Sequence, residues 1–158
     1  MIRQIDRIGE PAVGSSYTEF QGQGFWTSDT GLSVWLRLLA READRLGECP
    51  GWLLEARDYW ATVDDWAGVG CIDANLDRFL IDQGRVDLVA SLVERSLEFL
   101  AEQGPVLARD FLNELISAGP GFHFVGDPET EVFARVGRTL LMLLGGELKT
   151  GAETSPVV

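Results

Sequence analysis

The sequence predicts an all-α fold: one domain of 158 residues, a bundle of about six helices behind an irregular N-terminal leader. Three observations predict it. Between residues 28 and 145, apolar side chains recur every three or four positions, segment after segment. Between the segments stand stop and start residues, among them Gly47 with Pro50, Gly68 with Gly70, and the adjacent pair Gly104 and Pro105. Hydrophobic residues make up 46% of the chain, and at this length a domain buries roughly 68–70% of its unfolded surface, so a core forms without external staples. No internal repeat, heptad run or long linker divides the chain, which reads as leader 1–27, helical core 28–145 and mobile tail 146–158.

Each element has its own signal. Residues 1–27 carry Gly9, Pro11, Gly14, Gly22 and Gly24 and no sustained period, leaving room for one short helical turn or strand. Ser28 and Asp29 are N-caps for a first helix whose Leu32, Trp35, Leu36, Leu39, Ala43 and Leu46 share a face, with Gly47 as the stop. Pro50 opens a second, with the stripe Trp52, Leu53, Ala56, Tyr59, Trp60, Val63 and Ala67 and an opposite face of Glu55, Asp58, Thr62 and Asp65. Asp73 is positioned to cap a short third helix that turns Ile72, Leu76, Phe79 and Leu80 inward and ends at Gly84. The segment 86–103 has two apolar stripes and is expected to be the central helix. After Gly104 and Pro105, Leu107, Phe111, Leu112 and Leu115 belong to a fifth helix that turns back on the fourth. The loop 118–127, AGPGFHFVGD, has room for a short extended piece at 122–125. Asp127 as N-cap, Pro128 at the first position and acids at Glu129 and Glu131 then start the last helix, which buries Val132, Phe133, Val136, Leu140, Leu143 and Leu144 and stops at Gly145. Within it, Gly137 permits close approach of a neighbour.

Charge narrows the function classes. Twenty-five acids against thirteen bases give a net charge of −12 and a pI near 4.4. That field opposes binding to nucleic acid or an anionic membrane, and it favours a basic macromolecular partner. The opening MIRQIDRIGEPAVG lacks the apolar core of a secretory signal, and the densest apolar run, residues 139–144, is far too short to span a bilayer, so a cytoplasmic location is expected. Cys49 and Cys71 then read as reduced thiols.

Catalytic motifs are not evident. The single histidine, His123, lies between Phe122 and Phe124 with no adjoining nucleophile, a setting that suits a packed side chain better than a base. Two cysteines and one histidine do not complete a zinc site. The glycines of FQGQGFW lack the lysine and the strand-to-helix setting of a phosphate loop. Asp58, Asp64, Asp65, Asp73 and Asp77 crowd together, yet on a helix Asp64 points away from Asp58 and Asp65, and DANLD does not follow a calcium-loop pattern. The reading is therefore a protein that is not an enzyme and has no cofactor or metal.

What remains is the uneven distribution of acids. Residues 42–77 hold nine acids against Arg45 and Arg57, interleaved with Trp52, Tyr59, Trp60 and Trp66. In the simplest account the acids are a solvated face and the rings are core. Trp66, directly after Asp64 and Asp65 at a helix end, fits the alternative of an exposed anchor within a charged rim. The candidate partner-binding residues are Glu55, Asp58, Asp64, Asp65, Trp66, Asp73 and Asp77.

With its helical pattern, the acid-rich stretch YWATVDDWAGVGCIDANLD at residues 59–77 and no evident catalytic apparatus, the chain resembles the small acidic all-α immunity proteins of bacterial contact-dependent and type VI toxin systems. The resemblance is to the class, not to a motif, so no residue role carries over. It implies a non-enzymatic protein that neutralises a cognate, basic toxin by tight complex formation. A helical adaptor or effector chaperone that holds a partner helix is the alternative. An enzyme combining His123 with Asp110 or Glu114 is the third reading. Self-association stays open.

Overall fold

A computed structural model describes residues 14–116 and 123–148. The leader before residue 14, the middle of the loop at 117–122 and the tail from 149 onward lie outside the described residues. Six helices dominate, but the fold is mostly α, not strictly all-α, because the expected irregular leader contains a β-hairpin. Strands β1 (Ser15–Phe20) and β2 (Gln23–Ser28) pair antiparallel, with Tyr17 opposite Trp26 and Thr18 opposite Phe25. Gln21 and Gly22 both have positive φ, 50° and 81°, as a two-residue turn matched to strand twist requires. Ser16, Thr18, Phe20, Phe25 and Thr27 are buried beneath the hairpin, while Tyr17 and Trp26 pair on its outer face with ring centroids 5.3 Å apart.

The helices follow as α1 (Asp29–Asp44), α2 (Gly51–Trp66), α3 (Leu76–Phe79), α4 (Gln83–Glu102), α5 (Arg109–Leu115) and α6 (Thr130–Leu144). Ser28 caps α1, its hydroxyl accepting the Gly31 N–H at 3.0 Å. The central element is α1, not the expected fourth helix. Every residue from 31 to 40 is buried, and α1 packs against the hairpin, α2, α4, α5 and α6. A helix buried on all sides belongs at the centre of its domain.

Three starts differ from expectation. Asp73 does not cap α3; its carboxylate accepts the Asn75 N–H at 2.8 Å in a local turn, and α3 begins after Asn75 with a left-handed φ of 56°. Gly84 does not close α3 but lies in the first turn of α4, which Asp82 caps by accepting the Arg85 N–H at 2.9 Å. Asp127 does not cap α6. Its carboxylate reaches across to the Arg109 N–H at 2.9 Å, at the positive end of α5, while α6 starts at Thr130 with the Thr130 hydroxyl donating to the Gly104 carbonyl at 2.6 Å. Asp127→Ala is accordingly expected to cost about 0.5–2 kcal/mol by releasing α5. Hydrogen exchange should show faster opening near Arg109, and protection lost only in the first turn of α6 would contradict that placement.

The expected pairing of α4 with α5 also gives way. The antiparallel partner of α4 is α6: Leu97 and Ala101 face Ala134 and Arg138 at one end, and Val86 and Ala90 face Leu141 at the other. Helix α5 lies on α1 and meets α4 through Phe99 and Phe111, centroids 5.3 Å apart. Gly104 and Pro105 do end one helix, but the chain then bridges to 128–130, with the Leu107 N–H on Pro128 O at 2.8 Å, before α5 begins.

Two indoles anchor the interior. Trp35 donates its ring N–H to the Phe133 carbonyl of α6 and Trp60 donates to the Ala74 carbonyl, both at 2.8 Å, so each buries its ring without an unsatisfied donor. Among the described residues no helix is long and apolar enough to cross a membrane.

Candidate protein-docking surface

The candidate residues lie along α2 from Glu55 to Trp66, on the loop that follows it, and at Asp77 in α3. Tyr59 and Trp66 lie seven positions apart on one face of α2, and their rings meet edge to face at 5.9 Å. Tyr59 in turn packs on Phe79 at 5.7 Å, and Phe79 on the fully buried Trp60 at 6.0 Å. The four rings run from core to surface and end at Trp66, which is 64% exposed. Tyr59 donates its hydroxyl to the Asp73 carbonyl at 2.8 Å. Burial, with the nearby Asp73 charge, raises the Tyr59 pKa, so the phenol keeps the proton that makes this bond.

Beyond Trp66 the chain turns through 67–75 and presents Val69, 72% exposed. This loop is held from below by residues that the sequence reading did not single out for the site. The Asp29 carboxylate accepts the Gly70 N–H at 2.9 Å and the Ser16 hydroxyl at 2.5 Å, and Ser16 Oγ accepts the Ile72 N–H at 3.0 Å. Ser16 and Asp29 are 41 or more residues from the loop they hold, so only the folded hairpin brings them to it.

The candidate acids separate into two groups. Asp64 is a correction: it is only 4% exposed and lies under the surface, its two carboxylate oxygens taking Arg37 Nε at 3.0 Å and Nη2 at 2.6 Å. One residue on a helix turns a side chain by about 100°, which carries Asp64 toward α1 while Asp65 stays exposed and only touches Arg37 Nη2 at 3.3 Å. Glu55, Asp58, Asp65, Asp73 and Asp77 are exposed with Trp66. Three are partly neutralised, Glu55 by Arg78 at 3.0 Å, Asp58 by Arg57 at 2.8 Å and Asp65 by its contact with Arg37. Asp77 accepts the Gln21 N–H at 3.0 Å, tying the hairpin turn to the same face. Arg78, one residue past the acid-rich window, therefore belongs to this surface and trims its charge.

The chain matches no family model, no curated protein and no solved structure. Geometry alone therefore describes its chemistry. Among the described residues no group of three His, Cys, Asp or Glu side chains is arranged to hold a metal. Cys49 and Cys71 are free thiols, and burial raises the Cys49 pKa against the lowering effect of Arg57. His123 is exposed ahead of the buried Phe124. Asp110 is exposed 3.8 Å from Arg109 Nε, and Glu114 lies beside Arg41 and Phe111 in a shallow surface depression. The site that the fold organises most fully is the aromatic and acidic surface from α2 to α3, which can bury an indole against a partner and attract cations around it.

Proposed function

We propose that this chain is a non-enzymatic binding protein that neutralises a cognate, basic bacterial toxin by tight complex formation through the surface centred on Trp66. The helices serve as a bundle-like scaffold for that surface, and the protein acts in the cytoplasm. The observation that carries the reading is Trp66: its ring is 64% exposed, yet packed edge to face on Tyr59. An indole left facing water forfeits burial worth about 25 cal/mol per Å², while a supported ring loses little freedom when a partner covers it. The flanking Asp65, Asp73 and Asp77 would speed encounter with a basic surface and disfavour acidic ones.

Trp66→Ala is expected to weaken the complex by about 2–4 kcal/mol, roughly 30- to 1,000-fold, with little change in the denaturant midpoint because the ring is largely exposed. The test is capture of partners from the source lysate over a salt series, comparing wild type, Trp66→Ala and the triple reversal Asp58→Lys, Asp65→Lys, Asp73→Lys. One stoichiometric basic partner, toxic to cells and relieved by the wild-type protein alone, supports the proposal. A partner held equally by all three proteins with the same salt dependence overturns it.

A further inference from the structure

We propose that the seam between α4 and α6 is a second docking surface, for a partner helix with a narrow apolar stripe and basic edges. It is a separate face: α1 packs against α2 and also against α4 and α6. At one end of the seam a groove of about 730 Å³ is lined by Leu97, Ala101, Pro105, Val106 and Ala134. At the other end a groove of about 300 Å³ runs between Val86 and Ala90 on α4 and Leu141 and Met142 on α6. The alanines keep the floor low, and Val106 and Met142 remain 46% and 43% exposed at the two ends. From Gln83 to Ala101 the seam follows α4 for about 27 Å, the length of an ~18-residue helix.

Charge selects the occupant. Among the described residues that line the two grooves, the rims carry Asp87, Glu94, Glu129, Glu131 and Glu147 against one cation, Arg138, which is already paired with Glu131. The Arg138 hydrogen bond, helped by the nearby Arg135, holds the Glu131 carboxyl below the usual range. A second copy of this chain, with a net charge of −12, would bring like charge to those rims, whereas lysines or arginines flanking an apolar stripe would meet opposite charge on both sides. The inference does not rest on the Trp66 surface and stands or falls separately.

The probe is a synthetic amphipathic peptide of about 18 residues with leucines at helical spacing and lysines beside them, and the control has glutamates in place of the lysines. Added to the full-length protein, the lysine peptide should shift the amide resonances of Ala90, Ala101, Ala134 and Met142 and gain helicity, with affinity falling as salt rises. Ala101→Leu, which fills the groove from an exposed position, and the pair Val106→Lys with Met142→Lys should each weaken the binding read at the seam resonances about tenfold or more. Thermal melts on the same variants check that each is folded. Equal binding of both peptides, shifts confined to Trp66 and its loop, or no shift at millimolar peptide would overturn the proposal. So would a dimer in sedimentation equilibrium that Ala101→Leu dissociates, since the occupant would then be a second copy.

Discussion

Arg37→Met is expected to destabilise the protein by about 3–5 kcal/mol, because it leaves the Asp64 carboxylate buried without its counter-ion. Arg37 rises from the central helix and joins it to two others, taking both oxygens of Asp64 and one of Asp65 on α2 and the Leu115 carbonyl at the end of α5 at 3.4 Å. Asp64→Leu strands the guanidinium in turn, with only the looser contacts to Asp65 and to the Leu115 carbonyl remaining. Replacing both members together should recover much of either loss, since an apolar pair of similar volume avoids desolvating two charges. Urea melts of the two single variants and the double variant measure the coupling directly. A single Arg37→Met variant within about 1 kcal/mol of wild type would mean that water reaches Asp64 in the native state.

Trp35→Ala should be comparably severe, about 3–5 kcal/mol. The indole is fully buried, donates to Phe133 O across 98 residues of chain, and lies so close to Gly137 that a Cβ there would fall 2.4 Å from the ring and 2.7 Å from Leu97. The companion variant Gly137→Ala sets two effects against each other. Alanine gains up to about 1 kcal/mol of helix propensity, while overpacking costs about 1–3 kcal/mol. At 2.4 Å the ring must move, so net destabilisation is expected. Trp35→Phe should relieve part of that cost, because the smaller ring returns space to α6. A Gly137→Ala protein with a raised denaturant midpoint would show that the α1–α6 contact yields more easily than its close packing implies.

The periodic apolar stripes made the main helices legible, and the first turn of α1 was announced by its Ser28 cap. The hairpin was not legible because its alternation runs against the usual composition: Ser16, Thr18 and Thr27 face inward while Tyr17 and Trp26 face outward. Similarly, α1 hides its central place by burying Arg37 and Glu42, polar residues that read as a solvent-facing stripe. Asp127 has the local signature of a cap for the helix that follows it, and its actual acceptor role at Arg109 is a contact over 18 residues that no local rule can see. At the candidate site, the exposed position of Trp66 followed from its place at the end of an amphipathic helix. The separation of Asp64 from Asp65 was legible as a difference in direction, but the cation that draws Asp64 inward lies 27 residues earlier. The support from Ser16 depended on the hairpin and was invisible for the same reason, while Asp29, legible as a helix-start residue, holds Gly70 across 41 residues that no local rule spans.

The central helix has a consequence for biosynthesis. Translation delivers α1 early, yet α6, which supplies the carbonyl for Trp35 and packs on both strands, is made almost a hundred residues later. During that interval the nascent chain holds an apolar helix with one side uncovered, a natural target for trigger-type chaperones and proteases. The long sequence separation also slows closure relative to a bundle built of neighbouring hairpins. Completion of the fold would therefore lag behind synthesis of the α2–α3 surface, and messages cut short before Thr130 would yield chains destined for degradation.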